Sequence, residues 1–240
     1  MKNICFLLIL ILIITGCYLK NCQKIYYIKY IPKSEINLDG NLNELDWLKA
    51  NLEIGFTLPW EERSVPLTEF RAFVNDKHFY FSFNVHDSEV IFDEEFIDES
   101  VLDIEDRVEF YFTPDKSLKK YFCIEIDPLG RIHDYIASYY RRFDSSWDCP
   151  GIITTGRLTE RGYTVEGKIP LKTFVDLGLP SFNSEKPLIT GIFRAEFKYG
   201  LDNKIEEHWI SWIDLKTRYP DFHVSSSFVC LQIISGAHQL

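Results

Sequence analysis

Apolar and polar positions alternate with a period of two along most of this chain. Phe79, Phe81, Phe83 and Val85 interleave with Tyr80, Ser82 and Asn84, which places four apolar side chains on one face of a strand. Residues 71–74 precede that run across Asn75-Asp76, a pair that tolerates left-handed turn conformations, so the two runs predict a hairpin. Residues 108–112 and 121–126 flank a Pro-Asp-Lys-Ser turn and predict a second pair. Asp127-Pro128-Leu129-Gly130 then turns into a strand over 131–135. Further strands are predicted near 152–158, 163–169, 189–197, 209–214 and 228–234. Helical signals are brief: 43–50, and 170–177 with Pro170 at a permitted first-turn position. Many strands with short turns and little helix predict an all-β fold. The expected form is a two-sheet antiparallel β-sandwich, immunoglobulin- or jelly-roll-like, with one or two short helices.

The N-terminus follows a different pattern. Lys2 precedes an unbroken apolar run over 6–14, and Thr15-Gly16-Cys17 ends it. The run is too short to cross ~30 Å of hydrocarbon comfortably, so it reads as an export signal. Ending on Thr-Gly-Cys, it resembles a bacterial lipoprotein signal, which implies residues 1–16 as signal peptide and Cys17 as the lipidated first mature residue. Acyl chains contribute ~0.8 kcal/mol per buried methylene, enough for several chains to anchor a domain at a membrane. Residues 17–35, with Lys20, Lys24, Lys29 and Lys33, are then a tether, and 36–235 the sandwich. Cys22, Cys123, Cys149 and Cys230 remain. An oxidising compartment allows one or two disulfides among them, but spacing does not fix the pairing. Cys123 and Cys230 lie in apolar strand patterns and read as buried thiols.

Charge removes one class of partner. A formal net charge of −10, with no basic stripe, repels phosphate backbones, so nucleic-acid binding is not expected. At 240 residues, with no repeat or low-complexity linker, the chain fits one large β domain.

Four ordered motifs narrow the reading. Asp39-Gly40, Glu44 and Trp47 open the domain; Asp106-Arg107-Val108-Glu109-Phe110 stands in the middle. Gly162-Tyr163-Thr164-Val165-Glu166 runs on to Ile169-Pro170, and Ser211-Trp212 with Phe228 closes the set. In this order they resemble the family 9 carbohydrate-binding modules. The resemblance implies a β-sandwich that binds a glycan without catalysis. In that family two tryptophans clamp a terminal sugar, helped by a glutamate and an arginine. The glutamate falls at Glu109. The first tryptophan falls at Asp103, the arginine at Phe122 and the second tryptophan at Phe222, which keeps a ring. The glycine after the closing Phe is here Val229. Sugar-binding modules stack aromatic rings on pyranose faces, so rings outside the core are the candidates. Glu109, Phe222, Tyr219, Trp209 and Trp60 form the expected carbohydrate site, with Trp147 a further loop ring. Trp47 is expected in the core, and Trp209 and Trp212, three apart, face opposite sides of their strand.

Other chemistries carry less. The acid-rich segment 86–106 holds Asp87, Glu89, Asp93, Asp98, Asp103 and Asp106 among others. Carboxylates are preferred calcium ligands, so calcium is a possible cofactor, although no D-x-D-x-D-G spacing occurs. Asp221, His223 and Ser225 have the residue types of a triad. Residues two apart on an extended segment cannot wrap around one another, and no nucleophile elbow accompanies them. The only Met is Met1, so a haem would need two of His78, His86, His133, His208, His223 and His238. The expectation is a lipid-anchored envelope protein that binds glycans in polysaccharide capture or catabolism. A glycoside-processing hydrolase component, or an interaction module without sugar affinity, is the alternative.

Overall fold

The computed structural model describes residues 22–182, 184 and 186–233. The expected signal 1–16, Cys17 and His238 lie outside the described residues. The strands are β1 (Ile25–Tyr30), β2 (Asn51–Glu53), β3 (Thr68–Val74), β4 (His78–His86), β5 (Arg107–Thr113), β6 (Tyr121–Ile126), β7 (Ile132–Ser138), β8 (Arg142–Asp144), β9 (Ile153–Thr159), β10 (Gly162–Pro170), β11 (Leu188–Tyr199), β12 (Ile205–Ser211) and β13 (Val229–Ile233). Two short helices, α1 (Leu45–Lys49) and α2 (Leu171–Asp176), sit at the two predicted places.

The strands form two facing layers. One runs β8-β7-β6-β5-β11-β13, with β12 also paired to β11; the other runs β3-β4-β10-β9, with β2 on β3. β1 belongs to both: Ile25–Ile28 pair with β13, and Lys29 and Tyr30 pair with β3. Both pairings are parallel, so the sandwich is a curled, mixed sheet rather than a purely antiparallel one. β1 also corrects the expected tether. Ile25, Tyr26 and Ile28 lie between Lys24 and Lys29, and Tyr26 and Ile28 are buried in the core.

The period-two pattern explains the core. Phe110 projects between the layers and packs on Phe70, Phe81 and Phe83 of the facing layer at centroid distances of 5.4, 4.9 and 5.3 Å. Such offset and edge-on rings each add about 0.5–1.5 kcal/mol beyond their buried area.

The opening and third motifs fasten each other. Glu166 on β10 is fully buried. Its Oε2 accepts from the backbone N–H of Gly40 at 2.8 Å and of Asp39 at 3.1 Å, and its Oε1 accepts from Trp47 Nε1 at 2.9 Å. Gly40 has φ +78, and a Cβ there would lie 2.5 Å from Arg157 Cβ, so both conformation and space require glycine. Trp47 is buried, as expected.

Cys22 and Cys230 form a disulfide, with Cα atoms 5.8 Å apart across 208 residues of sequence. Cys230 is therefore not the buried thiol its strand pattern suggested; β1 and β13 run side by side, which brings Cys22 within reach. Cys123 and Cys149 are free and buried. A bridge over so long a loop restricts the unfolded chain strongly and is worth about 2–5 kcal/mol. Denaturant unfolding with and without reductant should differ by that amount, and Cys22→Ala should reproduce the reduced value. Equal midpoints in the two conditions would mean that the bridge stabilises nothing.

Candidate functional site

The cleft follows from the other face of β5. Val108, Phe110 and Phe112 point between the layers, so Arg107, Glu109 and Tyr111 point outward. Register then builds rows across the sheet. Phe193, Glu109, Glu125 and His133 stand side by side on β11, β5, β6 and β7. Tyr111, Cys123 and Tyr135 form the next row.

The segment 215–228 folds over this outer face and walls it. Phe222 stacks on Phe193 at 4.0 Å, nearly parallel. His223 stacks on Tyr111 at 5.2 Å, and its Nδ1 lies 3.0 Å from the Tyr121 hydroxyl. From the far edge, Phe143 on β8 packs against His223 at 5.0 Å. The Asp221 carboxylate accepts from the Tyr140 hydroxyl at 2.7 Å and from Arg141 at 3.2 Å, joining the two walls. Between them lies a cleft of about 360 Å³, within the ~300–1,000 Å³ range of small-ligand sites.

Its floor is charged. Arg107 Nε donates to Glu109 Oε1 at 3.0 Å and lies 2.7 Å from Glu125 Oε2; its Nη1 donates to the Leu102 carbonyl at 2.8 Å. The Tyr111 hydroxyl donates to Glu109 Oε2 and the Tyr135 hydroxyl to Glu125 Oε1, both at 2.8 Å. Burial first, then the charge of Glu125, pushes the Glu109 carboxyl above the usual carboxylate range. At the mouth His133 Nδ1 stands 3.4 Å from Asp103 Oδ1. The Asp103 carboxylate beside it raises the imidazole's pKa, and His133 in turn holds Asp103 low.

The expected site residues part company here. Glu109, Phe222 and Trp209 line the cleft. Phe222 is only 5% exposed and braces the wall rather than forming a free rim. Trp60 is not among the lining residues. It packs behind Phe222 at 5.9 Å, and its Nε1 donates to the Thr217 carbonyl at 3.0 Å. Tyr219 is 65% exposed and does not line the cleft; Arg218 lies over its ring. Trp147 packs on Phe122, on the opposite face of β6, so Phe122 does not reach the cleft. Asp103 does. Trp212 is buried and Trp209 half-buried on the other side of the strand, as their spacing predicts.

Sequence reasoning gave no site role to Arg107, Glu125, Arg141 or Phe143. Arg107 and Glu125 carried a readable signal, since each is a charge in a strand whose alternate residues are large and apolar. Phe143 carried none, because β8 is a three-residue strand with every residue exposed. Part of the acidic segment serves the fold: Asp106 accepts from the backbone N–H of Ile91 and Phe197, and Asp98 caps the turn at Ser100.

The family model for carbohydrate family 9 binding domain-like proteins matches residues 38–230. The chain belongs to this family. Among solved structures, a protein from Bacteroides uniformis described as carbohydrate-binding is 16% identical, with a TM-score of 0.65, over 88% of this chain and 99% of that one. A family 9 carbohydrate-binding module from Caldicellulosiruptor kristjanssonii, solved with glucose, is 14% identical with a TM-score of 0.57, over 90% and 99% of the two chains. The same organism's module solved with cellotriose gives 14% and 0.55, over 88% and 93%. No curated protein matches the chain. At these identities the neighbours establish the fold, and within it Glu109 lies on the cleft floor.

Burial drives the His223 imidazole down to about 4 from 6.5. The folded protein therefore releases this proton more readily than the unfolded chain. The stability tied to neutral His223 is intact above about pH 6.5 and is lost as pH falls toward 4, by about 3 kcal/mol. The difference between wild type and His223→Gln in unfolding titrations across about pH 4 to 7 should show this slope.

Proposed function

We propose that this family 9 domain binds a glycan, without catalysis, in the cleft between β5–β8 and the segment 215–228. One arrangement carries the reading: a half-exposed ring, Phe143, stands on the wall opposite Trp209 and Phe222, above a floor of convergent polar groups. Rings stack on the apolar face of a pyranose, while a guanidinium donor and carboxylate acceptors suit its hydroxyls, each of which both donates and accepts. The related modules bound to glucose and cellotriose support the ligand class. The pairing of walls differs from the family's tryptophan clamp. Asp103 replaces one indole and Phe222 the other, so Phe143 and Trp209 take over the stacking role.

Glycan-array screening followed by titration tests the reading. Phe143 is 46% exposed, so Phe143→Ala is expected to leave the fold intact while weakening binding at least tens-fold, a loss of ~2 kcal/mol or more. Phe222→Ala is instead expected to destabilise the fold, by about 3 kcal/mol or more, because its ring is buried against Phe193. Binding that ignores Phe143 and Trp209 would move the site elsewhere. No binding to any glycan would favour an interaction module.

The same reading places the domain at the cell envelope as a lipoprotein of polysaccharide capture, anchored through Cys17. The signal-like run 1–16 supports this, and the Cys22–Cys230 bridge is compatible with an oxidising compartment. Cys17→Ala should release the protein from the membrane fraction or stall its processing. A variant that stays membrane-bound with unchanged processed mass would overturn the anchor.

A further inference from the structure

The cleft mouth holds donor atoms whose bonding is incomplete. Asp103 comes from the turn before β5, Glu125 from β6 and His133 from β7, the last two directly opposite in register. One donor atom from each lies within 4.8 Å of the other two. Glu125 Oε1 accepts the Tyr135 hydroxyl, but Glu125 Oε2 receives no hydrogen bond. Arg107 Nε is 2.7 Å away, yet its N–H is directed to Glu109 Oε1. His133 Nδ1 has no hydrogen-bond partner either. Glu125 and His133 are only 4% and 8% exposed. Buried polar atoms that the protein leaves unsatisfied take an ordered water or a ligand.

Spacing and charge say which kind. Asp103 Oδ1 and His133 Nδ1 are 3.4 Å apart. That is long for an N–H···O bond, whereas two donors on one tetrahedral ion at ~2.1 Å stand about 3.4 Å apart. Asp103, Glu109 and Glu125 gather around the buried Arg107, so the floor offers several carboxylate oxygens to a cation. An imidazole among the donors suits zinc-like ions and disfavours calcium or magnesium, which take oxygen ligands.

We propose that Asp103, Glu125 and His133 bind one divalent transition-metal ion of the zinc type at the mouth of the cleft. Three protein donors leave a fourth position open toward the cleft, the pattern of sites that admit an exogenous ligand. The Tyr135 hydroxyl, bonded to the second oxygen of Glu125, fixes the orientation of that donor. The site does not depend on glycan affinity, since its donors are complete without a sugar.

Calorimetric titration of zinc into the untagged full chain, stripped with chelator and containing no glycan, tests the proposal. One equivalent should bind and be removed by chelator. Asp103→Asn, whose side chain is 60% exposed, should keep the fold and weaken zinc at least about tenfold, as should His133→Gln. Calcium should bind at least about tenfold more weakly than zinc. Cobalt(II) in place of zinc should give a visible ligand-field absorption that Asp103→Asn abolishes. Absence of stoichiometric zinc binding, undiminished affinity in folded Asp103→Asn, or equal calcium affinity would each overturn the site.

Discussion

The alternation of β5 is the constraint on which the rest depends. A strand presents successive side chains to opposite faces, and a one-residue slip exchanges the faces. Here the inward set is Val108, Phe110 and Phe112, and the outward set is Arg107, Glu109 and Tyr111. A slip would drive a guanidinium and a carboxylate into the aromatic core and expose Phe110. Register is therefore fixed by the cost of burying charge as much as by the gain from packing rings. The cleft is the necessary other side of a strand whose inner side is core.

That outer face is buried too: every residue of β5 is inaccessible or nearly so. The segment 215–228 must therefore be held down, and several fastenings do this. Phe222 stacks on Phe193, Ser227 Oγ donates to the Phe222 and Val224 carbonyls, and Trp60 supports the loop from behind through Thr217. The disulfide ties β13, immediately after this segment, to the start of β1. Glu166 does the corresponding work at the far layer, where one carboxylate satisfies two backbone donors and an indole. The opening motif is thus joined to the middle of the chain by buried hydrogen bonds, and the two ends of the domain to each other by a covalent link.

Much of this was legible in the sequence, and the limits are physical. Nearly all the strands follow from period-two runs, because one face of each packs on the core. The ordered motifs gave the family, and Trp47, Gly40 and Glu166 explain why: they are one contact seen at separate places in the chain. β1 escaped because its short apolar run lies between Lys24 and Lys29, and lysines suit a tether as well as an edge. The site was legible at Glu109 and Trp209, which lie on regular strands, and at Phe222 in the segment 215–228. Trp60, Tyr219 and Trp147 are loop rings, and sequence does not say which way a loop ring turns. Two of them brace the fold, and Tyr219 does not line the cleft. The cross-strand neighbours Glu125 and His133 required the register itself.

Two buried arginines show how differently such a sandwich can treat the same charge. Arg194, fully buried, bonds Asp87 and Glu196, and Lys198 and Arg63 pair with those carboxylates in turn. The group is near electrical balance, and its arginine also bonds Thr68 and the His86 carbonyl. It acts as a closed structural knot joining β11 to the β3–β4 layer. Arg107 also holds two carboxylates, but Asp103 adds a third, and no lysine answers them. Desolvating unbalanced charge costs more than desolvating a balanced group. A fold that tolerates the imbalance does so where solvent or a ligand reaches the charges. The closed centre serves stability; the open one lies on the floor of the cleft, where a ligand can reach it.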